Sequence, residues 1–151
     1  MTQTITSFEG GNAFGPFRMR QLLARLQAVS ERIVRLDARH VHLVWSDQAL
    51  QDPLPGQLAA LLQYGEPYTG APDGQLVVVT PRLGTVSPWA SKATDIAHNC
   101  GLALRRIERA TEFRIQMASS LLGKPTLSAE QQAQVATLLH DRMTESVLFD
   151  L

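Results

Sequence analysis

Apolar residues along this chain recur with two periods, one near 3.6 and one of 2, and the changes of period mark out its elements. Met1 to Phe8 is rich in Thr, with Ile5 and Phe8, and reads as an edge strand ended by Gly10-Gly11. Gly15-Pro16-Phe17 then opens a helix in which Met19, Leu22, Leu23, Leu26 and Val29 keep the helical period, with Arg18, Arg20 and Arg25 outside. Ile33 to Trp45 reads as strand with a slip of phase: Val34, Leu36 and Ala38 alternate in one register, Val41, Leu43 and Trp45 in the other. Because strand side chains alternate between faces, a slip near Asp37-Ala38-Arg39-His40 requires a bulge or a tight turn, and the preferred reading is a hairpin of two strands. Leu54 begins a short helix with Leu58, Leu61 and Leu62 inward, ending at Gly65.

Glu66 to Gly74 concentrates Gly and Pro and divides the chain nearly in half. Beyond it Leu76 to Val79 is the most hydrophobic run, and it leads through a turn containing Gly84 into a helix capped by Ser87 with Pro88 as its first residue. Trp89, Ala93, Ile96, Ala97 and Cys100 form one apolar face of that helix, predicted to be core, and Gly101 ends it. Leu104 to Met117 alternates as a strand through Phe113, Ile115 and Met117 against Glu112, Arg114 and Gln116. Ser128-Ala129-Glu130-Gln131 is a capping box with Leu127 as its hydrophobic staple, and it starts a helix carrying Val135, Leu138, Leu139, Met143 and Val147.

The two halves repeat one another. Gly15-Pro16-Phe17 and Ser87-Pro88-Trp89 lie 72 positions apart, Arg35-Leu36-Asp37 and Arg106-Ile107-Glu108 lie 71 apart, and Val41-His42-Leu43 and Phe113-Arg114-Ile115 again 72. A shared order of elements at one offset predicts an α+β fold of two ferredoxin-like β-α-β-β-α halves related by pseudo-two-fold duplication, with helices packed on antiparallel sheets. The halves are residues 1–66 and 75–151 with a linker at 66–74. Neither has enough core to stand alone, so the two must pack together like a dimer of one small unit.

Composition narrows the picture. At 151 residues, 44% hydrophobic and 19% charged, the chain is long enough for one core and has the balance of a folded domain. Fourteen basic residues against fourteen acidic ones leave no net charge, and hence no electrostatic footprint for nucleic acid or an acidic membrane. Twelve of the basic residues are Arg; only Lys92 and Lys124 are Lys. One cysteine excludes an internal disulfide and a thiolate zinc cluster. No apolar run approaches 18 residues and the N-terminus lacks a basic-then-apolar leader, so the expectation is a soluble, intracellular protein.

The candidate chemistry gathers in the stretch from Thr80 to Gly101. Arg82, Thr85, Ser87, Ser91, Lys92, Thr94 and Asp95 surround the exit of a strand and the start of a helix, a setting that can hold an anion or present polar groups to a partner. An ordinary connection with a solvated outer face accounts for the same residues. His40 and His42 share one face of a strand but lack a predictable third ligand, so no metal site is expected. His98 and Cys100, two apart on a helix, diverge, and Cys100 reads as a buried small hydrophobe rather than an activated nucleophile. His140-Asp141 reads as solvated helix surface, and no Walker-type loop or GxGxxG is present. No catalytic set emerges.

The words TPRLGTVSPWASKATDIAHNCGL, residues 80–102, resemble the N-terminal signature of the large, single-chain phosphoribosylformylglycinamidine (FGAM) synthases, glutamine-dependent enzymes of purine biosynthesis. Supporting words are Phe17-Arg18 before Leu22-Leu23-Ala24-Arg25-Leu26-Gln27, Val41-His42, Leu61-Leu62-Gln63-Tyr64-Gly65 and Leu139-His140-Asp141-Arg142-Met143-Thr144-Glu145. The chain's start departs from the family, with Glu9-Gly10-Gly11-Asn12-Ala13-Phe14 in place of a shorter charged turn.

The resemblance implies a domain similar to two copies of a small separate subunit (PurS-like), cut from a much longer cytoplasmic enzyme. That enzyme would convert formylglycinamide ribonucleotide to its amidine with ATP and glutamine-derived ammonia. ATP, magnesium and the glutaminase residues would belong to later domains. The implied partners are the synthase and glutaminase domains of the same chain, with no nucleic acid, no membrane and no metal bound here. The residues implied to reach them are Arg82, Thr85, Ser87, Ser91, Lys92, Thr94 and Asp95. The competing expectation is a free-standing tandem ferredoxin-like module that binds a small ligand.

Overall fold

The computed structural model describes residues 4–62, 64–70, 73–82, 87–118, 127–141 and 143–149. The elements, in chain order, are β1 (Thr4–Asn12), α1 (Pro16–Gln27), β2 (Ile33–Ser46), α2 (Leu54–Leu61), β3 (Gln75–Pro81), α3 (Pro88–Asn99), β4 (Arg106–Met117), α4 (Ala129–Leu139) and β5 (Glu145–Leu148). All five strands form one antiparallel sheet in the order β1-β2-β4-β3-β5, so the fold is α+β. The order strand-helix-strand-helix occurs twice, and α1 and α3 are both 12 residues long, starting at 16 and 88. Among the described residues no helix is long and apolar enough to cross a membrane.

The hairpin expected within 33–45 is not there. β2 runs unbroken, and every residue from Arg35 to Trp45 keeps one register against Gln116 to Arg106 of β4; the only irregularity lies between Ile33 and Arg35. The apparent slip of phase has a chemical cause. Leu36, Ala38, His42 and Val44 are all buried on one phase of the strand, and two histidines at positions 40 and 42 interrupt its apolar pattern. Val41, buried on the opposite phase, starts the alternation that reads as a second strand. A single sheet therefore replaces the separate sheets expected.

Two apolar clusters sit on the sheet. One joins Leu22 and Leu26 of α1 and Val135 of α4 to Leu36, Phe113 and Ile115. The other joins Leu58 of α2 and Ala97 of α3 to Val44, Leu62, Leu104 and Ile107. His40 and His42, opposite Thr111 and Arg109, lie along the sheet between them.

The helix ends follow local chemistry. Ser87 Oγ accepts from the Ala90 amide at 3.0 Å, as expected of a cap before Pro88. At the other end Gly101, with φ +78°, lets its own amide reach the His98 carbonyl and the Leu102 amide reach that of Ala97, the paired bonds of a Schellman stop. The Ser128 capping box is complete, with Gln131 returning a bond to the Ser128 amide, and Leu127 is buried in the core. α4 nevertheless stops at Leu139, earlier than expected, because the backbone turns extended at His140; Met143 is then 77% exposed and Val147 sits in β5. β1, an edge strand as predicted, extends past Phe8 through the two glycines.

The segment after α2 crosses that edge. Asn12 N–H donates to the Glu66 carbonyl at 2.9 Å, and a Cβ on Gly11 would stand 2.1 Å from the same oxygen, so only glycine permits the crossing. The crossing places Tyr64 beside His42 and Tyr68 beside Arg39, side chains of opposite phase on β2.

Candidate functional site

The region predicted to carry function is where β3 leaves the sheet. β3 pairs with β4 only from Gln75–Ile115 to Val79–Thr111 and holds β5 from Val78 to Pro81. The first half of β4 is thus without a strand on that side, and its outward amides need acceptors, since a buried unpaired amide costs about 1–3 kcal/mol. α3 supplies one. Thr94 Oγ1 accepts from Ile107 N–H at 3.0 Å. Buried Glu108 supplies another: its Oε1 accepts from Arg109 N–H at 2.9 Å and from the Ser87 hydroxyl at 3.0 Å. Its second oxygen lies 3.7 Å from Arg106 Nη2, and that guanidinium stacks 4.5 Å above the Trp45 ring. Ser87 therefore both caps α3 and ties it to β4.

This requirement rotates α3. The side nearest the sheet is the line Ala90, Thr94, Ala97, one position over from the predicted stripe. Small residues let the helix come close enough for Thr94 to reach the strand. In consequence Ile96 is 50% exposed and Cys100 is exposed, where both were expected inside; Leu61 of α2, also expected inside, is 51% exposed. Leu61 and Ile96 border a groove of about 230 Å³ between α2 and α3, with Leu58, Ala97 and Ile107 lining it and Trp89, Ala93 and Lys92 on the α3 side.

The candidate residues divide accordingly. Ser87 and Thr94 are engaged within the domain. Ser91, Lys92 and Asp95 are exposed on the outer side of the first turns of α3. Arg82 follows β3, exposed, with its amide donating to the Thr144 carbonyl at 2.8 Å. Thr85 and the turn with Gly84 lie outside the described residues, as do Lys124 and Arg142.

Sequence reasoning missed a second cluster, between the two cores. Fully buried His42 shares a 2.8 Å hydrogen bond between its Nε2 and the Tyr64 hydroxyl. Arg109 donates to the same oxygen at 3.2 Å, so the one hydroxyl proton of Tyr64 is available to the imidazole. The Arg109 guanidinium lies 4.8 Å above the Trp89 ring, which is also 5.5 Å from His42. Burial first, with help from the Arg109 charge, pushes both His40 and His42 down to about 4, so they are neutral at neutral pH. A guanidinium so close opposes a cation at the histidine pair, and among the described residues no three His, Cys, Asp or Glu groups converge to hold a metal. The repeated Arg-x-acid words were the available signal for the charged side chains of the strands. Arg35 and Asp37 pair at 2.7 Å on β2 just as Arg106 approaches Glu108 on β4, because positions two apart on a strand share a face.

Most of these positions fall within a wider likeness. A family model described as the formylglycinamide ribonucleotide amidotransferase N-terminal matches residues 39–151, which include β2 from Arg39 onward, α3, Glu108 and the groove but not Arg35 and Asp37. The chain therefore belongs to the N-terminal domain family of formylglycinamide ribonucleotide amidotransferase, the FGAM synthase of purine biosynthesis.

Proposed function

We propose that this domain serves the assembly of a full-length, cytoplasmic FGAM synthase. It docks against the synthase and glutaminase domains of the same polypeptide and helps enclose the substrate site or the ammonia path. The observation that carries this reading is the division of labour on α3. Ser87 and Thr94 fix the helix to β4, while Ser91, Lys92 and Asp95 stay exposed beside an apolar groove. A rigidly held helix with a polar outer edge and an unfilled apolar flank is suited to contact with protein rather than to chemistry of its own. ATP and magnesium are assigned to the other domains, which would activate the amide oxygen of the substrate by phosphorylation before ammonia attacks.

The same reading takes the two strand-helix-strand-helix units as copies of one ferredoxin-like unit. The equal lengths of α1 and α3 and their spacing of 72 positions support the duplication, as does the place of β2 and β4 side by side at the centre of the sheet.

In the full-length enzyme, Lys92→Ala or Ser91→Ala is expected to lose amidine synthesis or the coupling of glutamine hydrolysis to it. Unchanged steady-state kinetics in both variants would retire the docking role.

A further inference from the structure

We draw no further inference here: the strongest candidate, the apolar groove between α2 and α3 bordered by Leu61 and Ile96, carries none because nothing in the structure shows what covers it.

Discussion

The α1–α4 pair and the α2–α3 pair rest on one sheet, yet only the first closes. α1 buries leucines, Leu22 and Leu26, and packs against α4, so its large residues are inside. α3 buries two alanines and half-buries a threonine, and its large residues Trp89 and Ile96 flank a groove instead. The difference comes from what each helix covers. α1 lies over paired strands, which offer only apolar side chains and reward bulk. α3 lies against a stretch of β4 that has lost its neighbour and whose amides need partners, and the short reach of a threonine hydroxyl demands small residues around it. Hydrogen-bond satisfaction, not the volume of apolar side chains, sets the rotation of α3.

The largest effect should come from truncating the closed side. Leu26→Ala should cost about 2–5 kcal/mol by transfer and cavity, whereas Ile96→Ala, half exposed, should change the isolated chain by less than about 0.5 kcal/mol. Urea unfolding of both variants checks this, and equal losses would show that the two pairs are not different in kind.

Counted per pH unit, acid acts next, at the boundary between the cores. His40 and His42 are depressed from 6.5 to about 4, so the unfolded chain binds these protons first. Stability is therefore fully present above about pH 6.5 and declines as pH falls toward 4, by roughly 1.4 kcal/mol per pH unit for each histidine at most. Thermal unfolding across this window should be steeper in pH for the native chain than for the double variant His40→Gln, His42→Gln. Identical slopes would remove the histidines from the account.

Smallest is the loss of one acceptor. Thr94→Val keeps the shape of the side chain and removes the partner of the Ile107 amide, at a cost of about 1–2 kcal/mol. Hydrogen exchange should quicken at Ile107 while amides of α1 are unaffected. A protected Ile107 amide in the variant would mean that another acceptor satisfies it.

How much of this was readable in the sequence depends on whether the determinant is local. Caps are local: Ser87, Gly101 and the Ser128–Gln131 box each act within a few residues, and each is where its motif predicted. Periodicity found α1 and the existence of α3. It misjudged β2 because His40 and His42 count as polar, although their burial in neutral form lets them continue the inward phase. It misjudged the face of α3 and the exposure of Leu61 and Cys100 because the fact that β3 departs after Val79 is not written in α2 or α3. Among the candidate polar residues on α3, only tertiary contacts separate Ser87 and Thr94, which build the domain, from Ser91, Lys92 and Asp95, which face outward. Glu108 and Tyr64 had no local signal strong enough to single them out.

The crossing at Gly11 has a consequence for the sheet as a whole. An open strand border invites another chain to zip onto it, and the bond from Asn12 to Glu66 occupies that border at its glycine end. Any side chain at position 11 would push the crossing chain away and unfasten this buckle. Gly11→Ala should thus show itself less as a loss of core packing than as a new tendency of the molecule to self-associate through β1.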